Sequence, residues 1–178
     1  MTSLFTYANI LCYIRFYLNI CSIFASGIMF IILHLLSSSI DLIDGFIARK
    51  FNQVSILGRC LDMFNDRLGY LIIIFKCKNI ATHVFLLYII DFISNSIYFA
   101  SHLFYKTEFK KSKNIFLRHF YKEYLFVPLC AGTELYFSSL YLSYYYPKFI
   151  FIKDILFCFY IMKSFFHCNM FLEAFKVL

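Results

Sequence analysis

The sequence predicts an all-α, polytopic membrane protein with about six transmembrane helices, and three observations carry that prediction. Of 178 residues, 62% are hydrophobic and only 15% charged, with a mean hydropathy of +0.73, whereas soluble domains carry about a quarter charged residues. A spanning helix needs about 20 apolar residues, so six crossings use most of the chain and leave no room for a separate soluble domain. Solid runs such as "YLIIIF" and "HVFLLYIIDFI" replace the strict alternation of a transmembrane β-barrel. Residues 1–178 therefore read as a single membrane domain.

The first apolar stretch, 4–24, is interrupted midway by Arg15 and is not preceded by a basic residue. It is expected to be a retained first span rather than a signal peptide. The second and third stretches, 27–48 and 57–80, are joined by a short basic connection with Arg49 and Lys50. A fourth covers 82–104. Then comes the longest polar segment, 105–122, where Phe109, Ile115, Phe116, Leu117 and Phe120 are mixed with lysines in the manner of an interfacial helix. The fifth and sixth stretches are 123–146 and 149–173.

Six crossings place both termini on one side. The Arg49 connection and the 105–122 segment share that side and hold eight basic residues, against Lys76, Lys78, Lys148 and Lys153 opposite. The positive-inside rule puts the eight in the cytosol. The net charge of +7 is thereby read as topology and not as a nucleic-acid surface. The 7 cysteines are scattered and form no C-x-x-C pair, so they read as small packing residues. The 25 Phe and 15 Tyr supply lipid-facing bulk and interfacial belts.

An acid inside a span is costly enough to be a functional signal by default. Asp41, Asp44, Asp62 and Asp66 fall within 26 residues, near the cytosolic ends of the second and third stretches. On a helix Asp41, Asp44, Gly45 and Ala48 share one face, as do Gly58, Asp62 and Asp66. A short loop between the two helices makes them antiparallel neighbours, so their acidic faces are expected to meet. Four converging carboxylates repel one another in a partly dry site, and divalent cations resolve that repulsion. Oxygen-only ligation favours Mg²⁺ or Mn²⁺ over Zn²⁺. Such ions share their shell with phosphates. Gly45, Gly58 and, in part, Ala48 leave room for a bulky ligand, while Arg49 offers a fork suited to phosphate oxygens. The expected ligand is a diphosphate.

These residues spell D-x2-D-G-x2-A-R-x8-G-x3-D-x3-D from Asp41 to Asp66. That pattern resembles the signature of the CDP-alcohol phosphatidyltransferases, and its eight fixed positions would match by chance on the order of once in 10¹⁰ starting positions. The resemblance implies six transmembrane helices, a homodimer and a site for two Mg²⁺ or Mn²⁺ ions open to the cytosol. By similarity Asp41, Asp44 and Asp62 hold one ion, Asp62 and Asp66 the second, and Asp66 accepts a proton. Gly45 and Arg49 touch the cytidine diphosphate portion of CDP-diacylglycerol. Ala48 and Gly58 line the same ligand, and Ser55 resembles a further contact to it. The stretches "ANILCYIR", "FNQ", "LDMFNDR", "ASHLF" and "LCAGTELYF" resemble the eukaryotic, inositol-using branch of the family. That branch implies CDP-diacylglycerol and myo-inositol as substrates, and an endoplasmic reticulum or Golgi membrane as location. Lys122 is the expected inositol contact. "RHFYKEYLFVP" departs from a Ser-Arg-Pro-like stretch at the corresponding place.

Other polar residues read more plainly. The five histidines have no mutual ligand spacing. Asp91 and Glu134 sit inside spans, with Glu134 either an interhelix partner or part of the substrate cavity. Asn9 and Arg15 either lie near the site or brace the first helix against the second. Acceptors such as glycerol 3-phosphate, serine, choline or ethanolamine are alternatives within the family. Outside it, a cation channel or transporter would also use acids within spans, but it gives Arg49 and the two glycines no role.

Overall fold

The computed structural model describes residues 5–77, 80–104, 117, 119 and 123–177. Each of the six apolar stretches becomes one helix: α1 Tyr7–Phe24, α2 Gly27–Lys50, α3 Ile56–Lys76, α4 Thr82–Phe104, α5 Glu123–Tyr145 and α6 Ile150–Val177, the last preceded by a 3-10 turn at Pro147–Phe149. The protein is thus all-α among the described residues. The expected interfacial helix at 105–122 and the Lys122 contact lie outside the described residues, Leu117 and His119 apart.

Tyr7–Phe24, Gly27–Lys50, Thr82–Ser101 and Leu125–Tyr145 are long and apolar enough to cross a membrane. That is four of the six expected spans. α3 falls short because Arg59, Asp62, Asp66, Arg67 and Lys76 lie along it, so the residues that make the acidic face also dilute its hydropathy. Large apolar side chains such as Tyr17, Phe24, Ile28, Met29 and Phe104 face outward. An exposed apolar shell on helices whose backbone bonds are internally satisfied suits a lipid environment.

The chain divides into two compact units, Met1–Lys76 and Cys77–Leu178. In the first, α1 starts where the Thr6 hydroxyl accepts from Asn9 N at 3.1 Å, a side-chain N-cap. Ala8, Asn9, Cys12, Arg15, Asn19 and Ser22 form its buried face. They are small or polar, the kind of residue that lets membrane helices approach and bond to one another. Gly27 turns the chain into α2 with φ of 58°, a conformation costly for other residues. α2 closes with Phe51 N donating to Ile47 O at 3.0 Å, and Asn52 follows in the left-handed region with φ of 54°. Lys76 Nζ returns to the end of α1 and donates to Ile23 O at 2.9 Å and Ala25 O at 2.7 Å, covering carbonyls that a helix end leaves unpaired.

α1 packs against both α2 and α3, whereas α2 and α3 scarcely touch. The expectation of two adjoining antiparallel helices is corrected on this point. The loop that joins them is short, but the small polar face of α1 lies in the seam between them.

In the second unit α6 is the helix that α4 and α5 share. Gly132 permits this closeness, since a Cβ there would stand 2.5 Å from the Phe159 ring. Tyr136, Phe137 and Tyr160 pack with ring centroids 5.1 to 5.3 Å apart, while Tyr98, Leu129, Met170 and Ala174 fill the rest of the core.

Candidate active site

Three helices supply the site, all within the first unit. α2 contributes Asp41 and Asp44, and α3 contributes Asp62 and Asp66. α1 contributes Arg15, whose side chain is only 3% exposed. The four carboxylates do converge, and they converge on Arg15. Its Nη1 pairs with Asp41, with Asp44 Oδ2 at 3.2 Å and with Asp62 Oδ1 at 2.7 Å. Its Nη2 donates to Asp66 Oδ1 at 2.7 Å. Arg67 Nη1 takes the other Asp66 oxygen at 3.2 Å.

Neighbouring backbone and side chains fix this geometry. Cys12 Sγ donates to Asp44 Oδ2 at 3.5 Å, Asn65 Nδ2 to Cys12 O at 2.9 Å and Asn19 Nδ2 to Asn65 O at 3.2 Å. The first bond joins α1 to α2, and the two through Asn65 run along the α1–α3 seam and set the depth of Arg15 relative to Asp62 and Asp66. One turn nearer the loop, Ser55 Oγ accepts from Gly58 N at 2.9 Å and donates to Asn9 Oδ1 at 3.4 Å. Tyr7 N donates to Gln53 Oε1 at 3.0 Å. The loop after α2 is therefore tied to the first turn of α1.

The donor set suits a hard divalent ion. Asp41, Asp62 and Asp66 each offer a carboxylate oxygen, and these three atoms lie within 4.8 Å of one another. All three side chains are partly open, at 35%, 46% and 23% exposure, while Asp44 is nearly enclosed at 7%. Four carboxylates against the two guanidiniums of Arg15 and Arg67 leave a surplus of two negative charges. A surplus in a half-buried site calls for a cation, and carboxylate oxygens without imidazole or thiolate favour Mg²⁺ or Mn²⁺.

The remaining sequence candidates divide by environment. Arg49 is exposed at the end of α2, with its guanidinium lying across Gly45: a Cβ there would be 3.4 Å from Nη1. Ala48 is half-buried on the Asp41 face, and its carbonyl accepts from Gln53 N at 2.8 Å. Gly58 has a packing reason of its own, since a Cβ would stand 2.9 Å from Asn9 Oδ1 and 3.1 Å from Ser55 Oγ. Ser55 likewise acts within the protein, capping the start of α3. Arg15 is the residue whose centrality the sequence understated. Its signal was available, as a lone arginine halfway along an apolar run.

The comparisons with known proteins bear on this geometry. A family model described as CDP-alcohol phosphatidyltransferase matches residues 1–145. The chain is similar to the probable CDP-diacylglycerol--inositol 3-phosphatidyltransferase 2 of Arabidopsis thaliana, with 42% identity over 64 residues, covering 34% of this chain and 28% of that protein. It is also similar to the CDP-diacylglycerol--inositol 3-phosphatidyltransferase of Schizosaccharomyces pombe, with 34% identity over 128 residues, covering 66% of this chain and 53% of that protein. The matched stretches thus span about half or less of these relatives. No solved structure matches the chain significantly.

Proposed function

The chain belongs to the CDP-alcohol phosphatidyltransferase family, and on that premise we propose that it transfers the phosphatidyl group of CDP-diacylglycerol to myo-inositol, releasing CMP. The observation that carries the reading is the convergence of Asp41, Asp44, Asp62 and Asp66 on one partly open point. Two divalent ions held there would turn the surplus of two negative charges into an equal positive excess, which the two negative charges of a diphosphate diester would balance. When bound, the ions supply charge stabilisation for the diphosphate and its leaving group.

Asp41, Asp44 and Asp62 would hold one ion, and Asp62 and Asp66 the other. Gly45, Ala48, Arg49, Ser55 and Gly58 line the approach of the cytidine diphosphate portion, with the exposed Arg49 fork available to phosphate oxygens. Asp66 takes the proton of the attacking hydroxyl as it reaches the β-phosphorus in line with departing CMP. Arg67 stays on the far oxygen of Asp66 and orients it. The lipid tails remain in the bilayer while the acceptor enters from the aqueous side, which we assign to the cytosolic face of an endoplasmic reticulum or Golgi membrane. The two compact units form one membrane domain, and the chain works as a homodimer. An ion-conducting path fits poorly, because an arginine gripped by four acids obstructs cation passage.

Myo-inositol as acceptor rests on the names of the relatives and on the sequence stretches outside the signature. A neutral polyol needs hydrogen-bonding groups, whereas glycerol 3-phosphate needs a further basic cluster. The test is an acceptor panel with purified full-length protein, CDP-diacylglycerol and Mn²⁺ or Mg²⁺. Incorporation of myo-inositol in clear preference to glycerol 3-phosphate, serine, choline and ethanolamine is expected. Incorporation of serine or glycerol 3-phosphate with inositol ignored overturns the acceptor assignment and leaves the family intact.

A further inference from the structure

Arg15 is the member of the cluster that the chemistry above leaves without a task. Its guanidinium holds Asp41, Asp44, Asp62 and Asp66 at once, and three of those four are the residues whose oxygens lie within 4.8 Å of one another. A guanidinium and a hard divalent ion compete for the same lone pairs. The arginine cannot leave the contest by losing its proton, since guanidinium stays charged at every working pH. It can leave only by moving. Its grip is one-sided, because both Nη atoms are bonded while the buried Nε has no hydrogen-bond partner among the described residues.

We propose that Arg15 is a built-in competitor for the divalent ions. It gathers the four carboxylates, sets the metal affinity below that of the same carboxylates without it, and gives up Asp41, Asp62 and Asp66 as the ions load. Release of Asp66 Oδ1 from Arg15 then makes the proton acceptor available only in a loaded site, while Arg67 keeps its hold on Oδ2. The role is one of positioning and affinity control, and it rests on the metal reading above.

The experiment measures Mn²⁺ binding by electron paramagnetic resonance, and thermal stability with and without Mn²⁺, for full-length wild type and Arg15→Gln in lipid nanodiscs. Arg15→Gln should tighten the Mn²⁺ Kd by at least about fivefold, the lower end of typical coupling between sites, and should lower Tm mainly in the absence of Mn²⁺. A folded Arg15→Gln protein with unchanged or weaker Mn²⁺ affinity overturns the proposal, and so does a Tm lowered equally in both conditions, which is the signature of a purely structural arginine. Where Arg15→Gln does not fold, the Mn²⁺-loaded wild-type crystal structure decides. Anomalous scattering at the carboxylates with Arg15 withdrawn from Asp41 and Asp62 supports the competitor role, and ions beside an undisturbed Arg15 overturn it. Failure of the wild type to bind Mn²⁺ at all overturns the metal reading and this proposal together.

Discussion

In the first unit four carboxylates converge on Arg15, with Arg67 at the edge. In the second unit a single carboxylate, Asp91, pairs with His167 and accepts from Asn95 Nδ2 at 3.2 Å, with Lys163 buried one helical turn before His167. The second cluster is sealed, both partners of the pair being 3% exposed or less, and its one acid is set against His167 and Asn95 through Oδ1. The first is open at Asp41 and Asp62 and carries more acid than base. Burial of charge alone does not distinguish the two, since each sits among helices. Imbalance and access do. A matched, enclosed pair joins α4 to α6, whereas an unmatched and open one is suited to an incoming cation.

The largest effect is expected at Asp66. Asp66→Asn should reduce transfer by at least about 10²-fold, as expected for loss of a positioned base, with the protein still folded. Chelation with EDTA followed by dialysis should abolish activity until Mg²⁺ or Mn²⁺ is restored. Near-normal turnover by a well-folded Asp66→Asn protein, read with radiolabelled inositol, would remove the base assignment, and activity that survives chelation would remove the ions.

A smaller effect is expected in the second unit. His167→Leu leaves the Asp91 carboxylate short of a partner and should cost about 1 to 3 kcal/mol of stability, measured as loss in a denaturation assay. The double variant Asp91→Leu/His167→Leu should recover part of that loss, because removing both partners strands neither. The Mn²⁺ Kd should stay at the wild-type value in both. A shift in that Kd would mean that the two clusters are coupled and the contrast is wrong.

The two glycines of the signature separate, and the smallest effect is expected at Gly45. Gly58→Ala meets Asn9 Oδ1 and should lower stability by about 1 to 3 kcal/mol through overpacking. Gly45→Ala meets only the movable end of Arg49 and should change stability by no more than about 0.5 kcal/mol, while raising the KM for CDP-diacylglycerol. Equal loss of stability in both would show that the Arg49 fork is held more rigidly than its exposure indicates.

How far the sequence could be read follows from these same residues. All six helices were visible as long stretches rich in apolar residues, even where charges dilute α3, and the four aspartates were visible because acids are rare in such stretches. Helical periodicity states which residues share a face but not which helix that face meets, so α1 in the seam between α2 and α3 was not legible. For the same reason the close packing of Gly58 against Asn9 Oδ1, far away in the chain and on another helix, was not legible. Arg15 stands out in the sequence as an arginine within an apolar run, either near the site or bracing the first helix against the second. Its four partners depend on the same packing of α1, and no local spacing encodes them.

The position of Arg15 also bears on how the chain enters the bilayer. It is the ninth residue of an 18-residue helix, close to the midpoint, where an arginine disfavours translocon-mediated insertion by about 2.5 to 3.5 kcal/mol. The acids that offset it arrive later in synthesis, Asp41 being the first of them, 26 residues on. α1 emerging alone from the translocon is thus a poor spanning segment, and it becomes a good one as a hairpin with α2. Glycosylation mapping of nascent chains should find weak integration of residues 1–26 alone, improved integration once 27–50 follow, and a smaller gain from α2 when Arg15 is replaced by leucine.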